Sequence, residues 1–396
     1  MQHFLLNGTP IDDKSCYVKK RSVEWKAVED VLFHAILNGR ATTEIITGIF
    51  ERLGYIDTYI EDIVSGNRYN RALSAEKLGR LHAPQATEYL IRAMNDPARD
   101  VRTVAVRSLG NISDVRAIEP LIDKFVSAAQ DPQLLPLRVV KTSIKKYGHD
   151  ALPLLIPLLE HRSWRVRGQA ADIIGQIGDA SAVGRLLAML GDTEPDVRIK
   201  AVKALGNIKH ADAFQPLTEM IRDPSWIVRL QVAKTLGCMG GSQAVPPLVE
   251  LLSDLGWQVR EAAVQAISSL GIMASPALLK MLLLMRDRYA REQVIAELQS
   301  TEIFNAQFNM LCSTDIKERE TATLLLVAAG NSGAWSIISN AVREHKDPCV
   351  RKRLIHVINL IVDSDAENVL REVSESDHDE GVRNAARSAL EKTLCR

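Results

Sequence analysis

A phrase recurs along this chain at a fixed interval, and that interval constrains the fold more than any single residue does. Val101-Arg102, Ala105-Val106 and Leu109-Gly110-Asn111-Ile112 return as Val197-Arg198, Ala201-Val202 and Leu205-Gly206-Asn207-Ile208. With the Arg as marker, Arg167, Arg198, Arg229 and Arg260 stand 31 residues apart, and Arg71 and Arg102 keep the same step. Arg138, Arg291, Arg319, Arg351 and Arg383 continue the series less regularly, with extra residues near Ala128 to Pro132. Eleven phases cover roughly residues 65–396. Units of this kind pack only on their neighbours, so the core extends in one dimension and 396 residues do not imply separate globular domains.

Each unit reads as two helices. In the second, Val197, Ala201, Leu205 and Ile208 recur at helical spacing. Gly110, Gly175, Gly206 and Gly237 stand near its expected end, where a helix terminus favours glycine. The first helix opens near Pro120, Pro216 or Pro246-Pro247, since first-turn N–H groups lack intrahelical acceptors. Between the helices, Asp96, Asp192, Asp223, Asp254 and Asp377 each precede a marker Arg by six residues. Asp and Arg in one phase predict charge-assisted bonds within a turn or between successive turns. Ser163 and Ser225 stand where N-caps of the second helices belong. The fold class is therefore all-α.

The unit Asp-Pro-x-x-x-Val-Arg-x-x-Ala-x-x-x-Leu-Gly resembles the HEAT repeat, and more narrowly the short HEAT-like repeats named for phycobilisome lyases. The resemblance implies an α-solenoid, a right-handed superhelix whose second helices line a concave side. It implies no single function, because repeats of this type serve in lyases, hydroxylases, DNA repair and adaptors. Residues 1–64 lack the phrase and are expected to form an N-terminal helical cap, with helices near Val23 to Leu37 and Thr42 to Leu53. Residues 65–396 are expected to form a solenoid of ten to eleven units.

Composition narrows the functions. Lys plus Arg equals Asp plus Glu at 49 each, which disfavours nucleic acid as a partner. Cys16, Cys238, Cys312, Cys349 and Cys395 are scattered without a CxxC pair, so neither a zinc site nor a disulfide framework is expected, and a reducing cytoplasmic setting is. The first residues carry no secretory pattern, and apolar runs such as Ala151 to Leu159 and Leu278 to Met285 are too short to span a membrane. HEAT-like di-iron hydroxylases use His-Glu dipeptides on helices. Here Glu160-His161 and Glu344-His345 have the reverse order and fall in turns. His345 and Cys349, four apart, are separated by Asp347-Pro348, so no metal or other cofactor is expected. Phosphate loops, nucleophile elbows and zincin motifs are missing.

What remains is surface. Two and five residues beyond each marker Arg, the second helices carry Gln169 and Asp172, Lys200 and Lys203, and Gln231 and Lys234, followed by Gln265 in the next unit. These form an expected polar, mildly basic stripe. Trp164, Trp226 and Trp257 each stand three residues before a marker, with Pro195 in the intervening unit. A row of tryptophans along one edge is an anchoring surface. A basic cluster (Arg138, Lys141, Lys145, Lys146, Arg162, Arg165, Arg167) and an acidic stretch over residues 361–380 are further candidates. The expectation is a non-catalytic scaffold that binds a protein along Gln169, Lys200, Lys203, Gln231 and Lys234, with Trp164, Trp226 and Trp257 beside them. Its rivals are a lyase- or chaperone-type protein acting on a bilin or other protein-attached cofactor, and a nucleic-acid-binding HEAT-like protein.

Overall fold

The computed structural model describes residues 19–38, 42–131, 133–270, 303–361 and 363–394. Cys16, Cys395, Arg291 and the run from Leu278 to Met285 lie outside them. Among the described residues every regular element is helical and none is a strand. The repeated phrase explains why. Val101, Ala105, Val106 and Leu109 are fully buried along one stripe of the helix Arg99–Ile112, and Val197, Ala201, Val202 and Leu205 repeat the stripe in Pro195–Ile208. Arg99–Ile112 packs on the short helix Thr87–Ala93 before it and on Arg68–Arg80 and Leu137–Lys145, and Pro195–Ile208 packs on Trp226–Met239.

The chain divides into two compact units, Met1–Met189 and Leu190–Arg396. In the first, the second helices Arg68–Arg80, Arg99–Ile112, Leu137–Lys145 and Trp164–Ile177 pack in succession. Two helices, Val23–Leu37 and Thr43–Arg52, precede them, and a further helix, Tyr55–Ser65, pairs with Arg68–Arg80. That third helix has no counterpart in the sequence reading. Its Tyr55 and Tyr59 complete an aromatic cluster with Trp25, Phe33 and Phe50. The Tyr55 hydroxyl donates to the Trp25 carbonyl at 2.7 Å. Buried Glu29 accepts from the Tyr59 hydroxyl and the Lys77 ammonium, tying Val23–Leu37 to the first repeat. Burial and this carboxylate push the Tyr59 phenol far above its usual range.

The second unit stacks Pro195–Ile208, Trp226–Met239 and Trp257–Ser269, and further along Ile316–Ala329, Pro348–Ile358 and Glu380–Leu394. Its turns show what the recurring Asp and Arg do. Arg198 donates through Nε and Nη2 to both oxygens of Asp223, one unit on, at 2.7 and 2.8 Å. Its Nη1 donates to the Asp192 carbonyl in its own turn at 2.8 Å. Asp223 also accepts from the Ser225 amide at 2.8 Å. Arg229 repeats the arrangement on Asp254, Arg351 on Asp377 and, in the first unit, Arg71 on Asp96. One guanidinium thus closes its own turn and grips the next. The expected pairing is the inter-unit one, bidentate and largely withdrawn from water.

The serines do not take the capping role. Neither the Ser163 nor the Ser225 side chain caps its helix, and each serine's own backbone amide donates to the side chain two residues earlier, His161 or Asp223, at 3.0 and 2.8 Å. Where the repeat is irregular the link changes form. After Arg102 the inserted residues bring the Leu134 carbonyl, 3.1 Å from Nη2, in place of a carboxylate.

The phrase's glycine has a different purpose from the one expected. Arg99–Ile112 and Pro195–Ile208 run two residues past Gly110 and Gly206, and the left-handed C-caps are Ser113 and Lys209. A Cβ on Gly110 would stand 2.6 Å from the Ser143 Cα, and one on Gly79 2.7 Å from the Ser108 Cα. At Gly206 and Gly237 the obstacles are Thr235 Cγ2 at 2.5 Å and Ala266 Cβ at 2.7 Å. Glycine facing a small residue lets successive second helices touch through their backbones. The Ser108 hydroxyl then donates to the Ala75 carbonyl at 2.7 Å.

Arg71 and Arg351, hydrogen-bonded to Asp96 and Asp377, hold those carboxyls below the usual carboxylate range. A depressed folded-state pKa contributes stability that is complete above the unfolded value, about 3.9, and is lost as pH falls through the folded one. Urea unfolding should therefore show little change between about pH 7 and 5 on this account and a loss below about pH 4. Asp377→Asn should shrink the acid loss while lowering stability at neutral pH. An acid loss unchanged by this substitution would contradict the assignment.

Candidate functional site

In several turns an Asp or His side chain ties down the backbone, and the residue that begins the following second helix is exposed. Trp164, Trp226 and Trp257 begin Trp164–Ile177, Trp226–Met239 and Trp257–Ser269, and Pro195 begins Pro195–Ile208. The three tryptophans are 36%, 42% and 51% exposed. In the second unit, Trp226 and Trp257 are joined by Ile227 at 45% and Leu255 at 96%. The Trp226 Cβ stands 3.8 Å from the Cβ position of Gly256, the residue between Leu255 and Trp257. Two adjacent turns and the helix starts that follow them thus carry four exposed large apolar side chains. The Arg229–Asp254 pair joins these two turns. Trp164 lies in the first unit, with the Arg165 guanidinium 5.1 Å from its ring centroid.

The stripe is less uniform than the sequence implies. Lys203 and Lys234 are exposed on neighbouring helices, whereas Lys200 and Gln231 are half-buried. Gln231 donates to Thr235 within its own helix at 3.2 Å. In the first unit, Gln169 accepts from the Lys141 ammonium at 2.8 Å, and the same ammonium meets buried Asp172. Gln169 thus serves an inter-helix link. The basic cluster disperses likewise: Lys146 reaches Asn111, and Arg167 donates to the His161 carbonyl at 3.0 Å. In the acidic stretch, Asp377 is buried under Arg351 and Glu372 meets Arg343 at 3.0 Å.

A groove the sequence reading overlooked lies near the end of the chain. Of about 520 Å³, it runs between Pro348–Ile358 and Glu380–Leu394 and is lined by Lys352, Arg353, His356 and Ser388, without a carboxylate. Arg353 and His356 stand two and five residues beyond Arg351, where Lys200 and Lys203 stand beyond Arg198. Extending the same positional rule would have found them. Among the described residues no group of three or more His, Cys, Asp or Glu could hold a metal ion. His345 Nδ1 accepts from the Asp347 amide at 3.2 Å, and its ring meets Phe308 edge-on. No helix among the described residues is long and apolar enough to cross a membrane.

Stacked helix pairs, guanidinium links between turns and an exposed edge define an α-solenoid built to present surface. The HEAT repeats family matches residues 58–135, 122–195, 152–225, 184–268 and 218–299, together more than half of the chain. The chain belongs to the HEAT-repeat family, in agreement with the resemblance read from its repeated phrase. Among solved structures it is similar to an engineered protein at 17% identity, with 86% of this chain and 98% of that one covered and a TM-score of 0.36. It is also similar to the complex of CpcE and CpcF of phycocyanin lyase from Nostoc sp. PCC7120. There the identity is 16%, the coverage 69% of this chain and 94% of that one, and the TM-score 0.26. No curated protein matches the chain.

Proposed function

We propose that this chain is a non-catalytic scaffold that binds a protein partner in the cytoplasm. The observation that carries the reading is the edge of Trp226, Ile227, Leu255 and Trp257. Large apolar side chains left in water and gathered on rigid turns are the anchors of a protein interface. Lys203 and Lys234 on the adjoining helices supply a basic flank suited to acidic residues of the partner. The mechanism is preorganisation: guanidinium links fix the turns before binding, so the partner loses little free energy in ordering them. The N-terminal segment, residues 1–64, then acts as the cap that shields the first repeat.

The test is capture of a partner from native lysate by wild-type protein and by the Trp226→Ala/Trp257→Ala variant. The variant should lose at least about 2 kcal/mol of binding, roughly 30-fold in Kd. Its unfolding temperature should move little, because both rings are partly exposed. Retention of the partner by the variant at wild-type affinity would remove the edge from the proposal. Lys203→Glu/Lys234→Glu should slow association and reduce the salt dependence of binding, measured by surface plasmon resonance at several ionic strengths. An unchanged association rate would mean the basic flank does not face the partner.

A further inference from the structure

Cys312 and Cys349 are 37 residues apart in sequence and their sulfurs are 2.6 Å apart in space. Cys312 lies in the turn between Ile303–Met310 and Ile316–Ala329, and Cys349 is the second residue of Pro348–Ile358. They therefore bridge two consecutive turns of the second unit, as Arg198 and Asp223 do. At this junction the ionic link is missing. The residue in the position of the gripped Asp is His345, which already accepts the Asp347 amide. Arg319 donates to the carbonyls of its own turn, Ser313 at 2.8 Å and Thr314 at 3.1 Å, and forms no ion pair with a described carboxylate. Two thiols meet between turns of the kind that Arg71–Asp96, Arg198–Asp223, Arg229–Asp254 and Arg351–Asp377 join by charge.

We propose that Cys312 and Cys349 are a redox modification site, forming a reversible disulfide that joins these two repeats, with a low-molecular-weight disulfide such as oxidised glutathione as the oxidant. Cys349 is exposed and meets the oxidant first, whereas Cys312 is half-buried. In the first step the Cys349 sulfur gives up its proton and bonds to one sulfur of the small disulfide. The bond between the two small sulfurs breaks, and one small thiol leaves with a proton. In the second step the Cys312 sulfur loses its proton and bonds to Cys349 Sγ, expelling the second small thiol. Two protein thiols are oxidised and one small disulfide is reduced to two thiols, and an excess of thiol reverses both steps. Burial and the adjacent Cys349 raise the pKa of Cys312, which makes it the poorer nucleophile for the first step. Because Cys349 also lines the groove of Lys352, Arg353 and His356, oxidation removes a thiol from the wall of that groove.

The test treats the reduced full chain with oxidised glutathione, blocks remaining thiols with an alkylating agent and maps the peptides without reduction. The expected product is a cross-linked peptide pair containing Cys312 and Cys349, carrying no glutathione and released by dithiothreitol. Cys312→Ser should stop at the first step and retain glutathione on Cys349. Recovery of both cysteines alkylated, or each with its own glutathione, would overturn the proposal. The oxidised protein should also unfold several degrees higher than the reduced one, a difference that Cys312→Ser/Cys349→Ser abolishes. A linked pair with no change in unfolding temperature would overturn its role as a substitute for the missing ionic link.

Discussion

Asp223→Ala is expected to destabilise the chain by about 3–5 kcal/mol in urea unfolding, the cost of leaving a buried charge without its partner. The Arg198 and Asp223 side chains are 10% and 4% exposed, so solvent cannot replace the lost carboxylate. The substitution also strips the acceptor from the Ser225 amide and releases the turn that presents Trp226. Arg68 and Asp100 form a pair at 3.0 Å in the open, at 69% and 45% exposure. Asp100→Ala should accordingly cost far less than Asp223→Ala, because solvent screens the pair. Equal losses from the two substitutions would mean that burial does not distinguish the inter-turn pairs from surface pairs.

Gly110→Ala is the second large effect, because it adds one methyl group where the neighbouring backbone leaves no room. The new Cβ would meet the Ser143 Cα at 2.6 Å, and no side-chain rotation relieves contact with a backbone atom. Overpacking of this kind costs about 1–3 kcal/mol and outweighs the gain of up to about 1 kcal/mol in helix propensity. The same substitution at Gly184, inside Val183–Ala188 with nothing within 4 Å, should stabilise by about 0.5–1 kcal/mol. Opposite signs for one chemical change, measured by urea unfolding, are the signature of helix-to-helix contact at the phrase's glycine. Stabilisation at both positions would return Gly110 to the role of a helix terminator.

The architecture was legible because a solenoid writes its fold in its period. Val101, Ala105 and Leu109 had only to recur at helical spacing, and again one unit later, for stacked helix pairs to follow. Pairings across units were legible where both partners kept the repeat's phase, as Arg198 and Asp223 do. They were illegible where phase was lost. Tyr55–Ser65 carries none of the marker residues and so was hidden, although it is the first helix of a pair. Cys312 and Cys349 meet because two turns stack, which no spacing rule for cysteine motifs detects. Gly110 was misread because sequence shows where a glycine stands along a helix but not what approaches it from the side.

The surface was legible in part. The tryptophans' place before the marker Arg identified the entrance to each second helix, and burial then showed that these side chains remain in water. The polar stripe blurred because a lysine or glutamine on a helix face reads the same whether it meets solvent or a neighbour. Lys141 illustrates the point: its ammonium closes on Gln169, one of the residues expected to face a partner, and on Asp172 of the same stripe.

In the proposed function, inter-turn charge pairs hold the solenoid while the Trp226–Trp257 edge binds. Hydrogen exchange read by mass spectrometry, on the chain alone and with its captured partner, tests this most directly. Binding is expected to slow exchange in the turns and helix starts around residues 224–228 and 254–258, while the turns around Asp96 and Asp377 exchange as before. Slowed exchange confined to first helices such as Phe214–Glu219 and Val245–Leu251, with the tryptophan turns unchanged, would contradict it.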